Sequence, residues 1–149
     1  VLDDVYLVTA PHRARPAFDA VSHALRDLAG IDTNLGKCRV WHRAGGPAPP
    51  GIAELGPAVW TGDKPAGECG IVVLGSPFGA HPFLHAQAHL RIADETLLAN
   101  LVPQVPDLQA AWLLLLMCAN PRANHLLRSL PPALVAGYAA EHDALLEQT

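Results

Sequence analysis

The chain begins with Val1-Leu2-Asp3-Asp4-Val5-Tyr6-Leu7-Val8, a stretch in which two adjacent aspartates stand between apolar residues. The apolar residues fit a buried β-strand, but aspartate is disfavoured there because its carboxylate competes for backbone hydrogen bonds and is costly to bury unpaired. A tight hairpin that presents both carboxylates to a divalent cation resolves this conflict, since hard cations prefer oxygen ligands. The stretch therefore predicts a metal-binding hairpin at Asp3 and Asp4.

The segment after the aspartates has the pattern of an amphipathic helix. Apolar residues recur at steps of three and four from Ala14 to Leu28, with charged residues between them. Pro11 and Pro16 confine the helix start to this region, and Gly30 predicts its end.

Two further motifs follow this helix. The stretch from Gly30 to Trp41 contains Asn34 and Lys37, and the stretch from Val72 to Gly79 contains the pair Leu74-Gly75. In this order and spacing, the aspartate pair and the two motifs resemble the C-terminal half of the reverse transcriptase domain of non-LTR (LINE-type) retrotransposons. The resemblance covers most of the chain, strongly through the second motif and more loosely through the helical remainder.

The resemblance implies roles for four of these residues. Asp3 and Asp4 stand where the family has its aromatic-x-Asp-Asp motif, which implies that they bind Mg²⁺, or Mn²⁺ in its place, for two-metal nucleotidyl transfer. Asp3 would be the more direct ligand. Asn34 and Lys37 match the Leu-Asn-x-x-Lys motif of the substrate site. Lys37 would act as a general acid toward the leaving pyrophosphate or is an exposed strand lysine, and Asn34 is expected to fix a turn through its side chain.

Leu74 and Gly75 match the Leu-Gly strand that leads to the primer grip, which implies binding of the primer. The chain departs from the family at Val1, where Tyr or Phe usually stands two residues before the first aspartate. The partners that the resemblance implies are an RNA template, a DNA primer and a deoxynucleoside triphosphate, in the nucleus or the cytoplasm.

The expected fold is α+β. It comprises a partial polymerase palm at residues 1–80, built from a β-hairpin, a helix and short antiparallel strands, and a helical thumb-like lobe at residues 81–149. The boundary lies near His81 because the pattern changes there from strands and loops to helices.

Local patterns predict the remaining elements. Strands are expected at 38–42 and 71–74, the second of them in the core, with a Gly- and Pro-rich irregular stretch at 43–70 and a turn at 78–79. Prolines separate four further helices, expected at 83–101, 108–118, 123–130 and 132–147.

A two-metal site needs a third carboxylate, which in this family comes from a strand that precedes the aspartate pair. Nothing precedes Val1 in this chain, so we expect the fingers and the first palm strand to be missing. The other aspartates follow the pair and cannot replace that ligand without a change of topology. The chain alone is therefore expected not to polymerise DNA.

Composition narrows the classes of function. A net charge of -4 and a pI near 6.0 argue against a free-standing nucleic-acid binder, which normally has a basic excess. The three widely spaced cysteines indicate reduced, intracellular thiols. The apolar run at 110–119 is about half the length of a membrane span and predicts a buried helix. No contact with a membrane is expected.

Two other interpretations come from the same sequence. The chain could be a non-catalytic, mainly helical interaction module in which the aspartates are incidental, or a degenerate retroelement relic. It could also be a histidine-based metal protein, because His81, His85 and His89 are spaced by four and would share one helix face. The remaining histidines form no recognisable constellation.

Overall fold

The computed structural model describes residues 4–149, which contain five α-helices and one antiparallel sheet of two strands. The predicted α+β class is confirmed at this level. The chain divides into two compact units, Val1–Pro65 and Ala66–Thr149. The division lies before the position near residue 80 that the sequence suggested, because the strands at 70–79 pack with the helix that follows them.

Helix α1 spans Ala14–Ala29 in the first unit and follows a 3-10 turn at Pro11–Arg13. It ends where the sequence predicts, at Gly30, whose φ of 65° is a left-handed conformation that glycine adopts without steric cost. The amide of Gly30 donates to the carbonyl of Arg26, and the amide of the next residue donates to that of Leu25. These bonds satisfy carbonyls at the helix end.

The Gly- and Pro-rich stretch supplies the core of the first unit. It is irregular, as predicted, but Ile52, Val59 and Trp60 in it are almost completely buried. The indole Nε1 of Trp60 donates to the carbonyl of Gly46 at 2.9 Å, so the ring is buried with its polar atom satisfied. Partly buried residues complete this cluster: Ala14, Cys38, Val40, Ala48 and Leu55.

The prediction of a strand at 38–42 is wrong. The described chain forms only a single parallel bridge there, between Val40 and Trp60. The Val40 amide donates to the Val59 carbonyl at 2.7 Å, and the Thr61 amide donates to the Val40 carbonyl at 3.0 Å. Glycines and prolines on both sides of Trp60 prevent a longer ladder from forming.

The sequence predicts a hairpin at the aspartate pair, and the residues of this stretch that the structure describes do not form one. Residues 4–10 form neither helix nor strand, and the apolar residues Val5, Leu7 and Val8 are exposed. A strand exists only through hydrogen bonds to a neighbouring strand, and within the described residues the two strands of the sheet, at 70–73 and 76–79, pair with each other. Residues 1–3 lie outside the described part.

Strands β1 (Gly70–Val73) and β2 (Ser76–Gly79) form a hairpin in the second unit, closed by Leu74 and Gly75. The turn predicted at 78–79 is therefore wrong, because these residues pair in β2. The strand predicted at 71–74 is present but is not a core strand, since Val72 and Leu74 are exposed. An isolated hairpin packs only one of its two faces.

Four helices complete the second unit close to their predicted positions. They are α2 (His81–Leu101), α3 (Leu108–Leu114), α4 (Asn124–Ser129) and α5 (Pro132–Gln148). Asp107 caps α3 by accepting a hydrogen bond from the Ala110 amide at 3.0 Å. The core lies between α2, α4 and α5: Ala88, Ala123, Leu126 and Tyr138.

The apolar run after Asp107 is not the buried helix that the sequence predicts. It continues from α3 into a π-helix at Leu115–Ala119, and Trp112 and Met117 are 60% and 68% exposed. Consecutive apolar residues surround a helix on all sides, whereas a small unit can cover only one side. No helix in the described chain is long and apolar enough to cross a membrane.

Leu74 provides a test of strain in the hairpin. It is the one non-glycine residue with positive φ in the described chain, at 50°, and Gly75 follows at 80°. A two-residue hairpin turn with two positive φ angles favours Asn-Gly. We expect Leu74→Asn to raise the free energy of unfolding by about 1 kcal/mol, measured by denaturant titration. Asparagine tolerates this conformation because its short polar side chain can hydrogen-bond locally. Leu74→Ala lacks that polar side chain, so an equal gain from it would contradict this explanation.

Candidate functional site

The aspartate pair is only partly within the described residues. Asp3 lies outside them, so its predicted metal contact has no structural description. Asp4 is exposed, and its Oδ2 accepts a hydrogen bond from the Tyr6 hydroxyl at 3.1 Å. An exposed carboxylate held by one hydroxyl retains oxygen lone pairs for a cation.

Asn34 and Lys37 lie together in a turn shortly after α1. The Oδ1 of Asn34 accepts from the Gly36 amide at 3.0 Å, as the sequence predicts for a turn-fixing side chain. The Lys37 amide donates to the Asn34 carbonyl at 3.1 Å, while its side chain is exposed. Arg39 donates to the carbonyls of Gly36 and Cys38, so its guanidinium braces this turn.

Leu74 and Gly75 form the tip of the hairpin in the second unit, where cationic and polar side chains meet the turn. A Cβ added at Gly75 would lie 3.2 Å from His125 Nε2 and 3.9 Å from a guanidinium nitrogen of Arg91. Ser76, the next residue, is buried and its Oγ lies 3.0 Å from His125 Nε2. An arginine and a histidine therefore lie directly beside the half-buried Gly75 at the hairpin tip.

The contact between Ser76 and His125 has the separation of a nucleophile and its base. Within the described residues, no carboxylate is recorded at the other ring nitrogen of His125 to orient it. The bond joins β2 to α4, and it holds the serine hydroxyl inside the unit. We therefore interpret it as a structural contact that positions His125 beside the turn.

A buried polar network lies between α2 and α5. Glu95 is 3% exposed, and its two carboxylate oxygens contact the Tyr138 hydroxyl at 2.6 Å and His142 Nδ1 at 2.9 Å. The other ring nitrogen of His142 lies 3.3 Å from the Asn120 carbonyl. Burial, and then the hydrogen bond to Glu95, raise the pKa of Tyr138 well above its ordinary value.

The three histidines spaced by four lie on α2, beginning at its first residue. His85 and His89 line a cleft of about 60 Å³ between α2 and α5, and His89 Nδ1 is 3.9 Å from Glu141 Oε2. Across residues 4–149, no group of three or more His, Cys, Asp or Glu side chains is arranged to hold a metal ion.

Two of the remaining histidines have distant partners that the sequence does not indicate. His125 meets Ser76 and His142 meets Glu95, over separations of 49 and 47 residues. The spacing of four between Tyr138 and His142 was the one available signal, since it places both on the same face of a helix. Nothing local marks Glu95 as the acid that they share.

Comparisons with known proteins give no relative. No protein-family model matches the chain, and neither a curated protein nor a solved structure shows significant similarity to it.

Because folding raises the pKa of Tyr138, we expect the protein to lose stability in alkaline solution. In the unfolded chain a tyrosine ionises near pH 10, whereas folded Tyr138 keeps its proton to higher pH. The contribution of protonated Tyr138 to the free energy of unfolding is therefore fully present below about pH 10, and it is lost as the pH rises above that value. Denaturant unfolding of a Tyr6→Phe variant isolates this effect, because the chain has two tyrosines. Tyrosinate absorbance that appears near pH 10 while that variant remains folded would contradict the prediction.

Proposed function

We propose that this chain is the C-terminal palm and thumb portion of a LINE-type reverse transcriptase, an RNA-directed DNA polymerase. The observation that carries the proposal is the order and spacing of Asp3-Asp4, Asn34 with Lys37, and Leu74-Gly75. Each motif alone is common, and the ordered set is specific. An amphipathic helix follows the aspartates, and a helical region follows the hairpin, which is compatible with that order.

The hairpin tip offers physical support for a contact with nucleic acid. Arg91 and His125 lie beside the backbone of Gly75, where an approaching phosphodiester would meet a positive charge and polar hydrogens. The leucine that precedes the glycine is 72% exposed and adds an apolar surface at the same place. In the proposed enzyme this tip contacts the primer backbone.

The proposed chemistry assigns different tasks to the two motifs in the first unit. Asp3 and Asp4 would hold Mg²⁺, which when bound activates the primer hydroxyl and neutralises the triphosphate. Lys37 would donate a proton toward the leaving pyrophosphate, for which its exposed side chain is suited. A third carboxylate would come from a preceding palm segment. Without that ligand the isolated chain binds a primer–template but does not extend it.

Primer extension with Mg²⁺ tests the proposal directly. We expect no nucleotide incorporation by the isolated chain, and incorporation by a longer polypeptide that joins it to the coding sequence upstream of Val1. In the longer protein, Asp3→Asn should abolish extension, because an amide is a poor ligand for Mg²⁺. Asp27→Asn, an exposed aspartate on α1, is the control with the same change of charge. Equal loss from both variants would refute the metal role.

The hairpin tip predicts a salt-dependent affinity for a primer–template duplex. Arg91→Gln should weaken binding by the isolated chain and reduce the slope of log affinity against log salt concentration by about 1. Fluorescence anisotropy over a range of salt concentrations measures both quantities. Arg26→Gln removes the same charge from an arginine that is already paired with Asp32 at 2.6 Å, and should have little effect. Equal slopes for Arg91→Gln and the unmodified chain would contradict the phosphate contact.

A second candidate, the non-catalytic interaction module, is favoured by the exposed apolar surface of the run after Asp107. Leu108, Trp112 and Met117 are all more exposed than buried. Exposed apolar patches commonly mark protein interaction sites. The primer-extension experiment separates the candidates, since an interaction module would show no incorporation with any upstream segment attached.

A further inference from the structure

The three histidines at the start of α2 differ in what surrounds them. His85 and His89 line the cleft between α2 and α5, whereas His81, the first residue of the helix, lies outside it. An ion at His81 would also meet the positive end of the helix dipole, which disfavours cations within the first turn. The structure therefore selects His85 and His89 from the sequence motif.

These two histidines have the spacing of a chelating pair. Residues four apart on an α-helix lie one above the other on the same face, so two imidazoles at this spacing can reach one ion. Both residues are exposed, so neither ring is used to fill the core. Because residues 4–149 contain no group of three His, Cys, Asp or Glu side chains arranged around an ion, water must complete the coordination of an ion held here.

Glu141 on α5 gives His89 the partner that a metal-bound histidine needs. Its Oε2 lies 3.9 Å from His89 Nδ1. A ligating histidine usually donates its second ring N–H to a carboxylate, which fixes the orientation of the ring and makes the ligating nitrogen more basic. With Nδ1 beside Glu141, Nε2 of His89 is the nitrogen left for an ion. A separation of 3.9 Å exceeds a hydrogen bond, so we expect it to shorten when the ion binds.

The opposite wall of the cleft leaves room for an ion and its water. Gly137 on α5 lines the cleft, and a Cβ added to it would meet nothing within 4 Å. Ala88 and Ala133 also line it, so short side chains on both helices keep it open. Its volume of about 60 Å³ exceeds that of one water, which requires about 15 Å³ of such space.

We propose that His85 and His89 bind a divalent transition-metal ion in this cleft, with Glu141 as the positioning residue that orients His89. The ion belongs to the class that imidazole favours, such as Ni²⁺, Cu²⁺ or Zn²⁺, and not to the class of Mg²⁺, which prefers oxygen ligands. Through Glu141 the bound ion connects α2 to α5, so it stabilises the folded chain. This inference does not depend on the proposed polymerase function.

Titration with Ni²⁺, followed by calorimetry, tests the site. Ni²⁺ is the better probe because Zn²⁺ also binds thiolates, and the chain has three cysteines. The unmodified chain should bind Ni²⁺, and an excess of Mg²⁺ should not compete. His85→Ala and His89→Ala should each remove this binding, because a single imidazole cannot chelate. His81→Ala, the matched control on the same helix, should leave the affinity unchanged.

Glu141→Gln tests the positioning role separately. It retains both imidazole ligands and removes the carboxylate beside His89, so the affinity for Ni²⁺ should fall by about tenfold, which is typical of such outer partners. Unchanged affinity in this variant would overturn the role of Glu141. All four substituted residues are exposed, so we expect every variant to fold.

The denaturation midpoint provides a second readout. Ni²⁺ should raise the midpoint of the unmodified chain and of His81→Ala, because an ion that binds only the folded chain stabilises it, and a chelator should reverse the change. The midpoints of His85→Ala and His89→Ala should not respond. Absence of binding by the unmodified chain would overturn the proposal, as would loss of binding in His81→Ala or its retention in His89→Ala.

Discussion

The carboxylate of Glu95 is the constraint on which the second unit depends. A carboxylate at the centre of a helix packed between neighbours must find hydrogen-bond partners or cost several kcal/mol, and the Tyr138 hydroxyl and His142 Nδ1 on α5 are those partners. Because Tyr138 and His142 are separated by one helical turn, both reach the same acid and fix the rotation of α5 against α2. The apolar cluster that includes Ala88, Leu126 and Tyr138 packs around this polar contact, so the core is specified by hydrogen bonds as well as by volume.

The first unit has a different kind of core. Its described residues, 4–65, contain no two α-helices packed against each other, and the most buried of them come from a stretch that local rules treat as a loop. Trp60 can be buried there because its indole nitrogen reaches a backbone carbonyl, and because glycine next to it leaves room: a Cβ at Gly62 would lie 2.2 Å from the ring. The glycines and prolines that exclude regular structure thus also allow the backbone to approach an aromatic ring closely.

The acidic net charge opposes the contact with nucleic acid that the proposed polymerase function requires. A net charge of -4 disfavours nucleic-acid binding by the whole surface, so any such contact must rely on local groups such as Arg91 and His125 at the hairpin tip. The strained Leu74 lies at that same tip. Strain concentrated at an exposed position is typical of a residue kept for function, because stability alone would select a residue that tolerates positive φ.

The sequence by itself determined the approximate positions of the helices, the end of α1 and the α+β class, because amphipathic period, proline boundaries and the left-handed Gly30 are local signals that need no tertiary partner. It also determined the turn at Asn34, whose side chain bonds two residues away. Only the tertiary structure decided which apolar residues are buried: Ile52 in a loop is covered and Trp112 in an apolar helix is exposed, since burial depends on what packs against a residue. The pairing of Glu95 with His142 joins residues 47 positions apart, and no pattern along the chain encodes that distance.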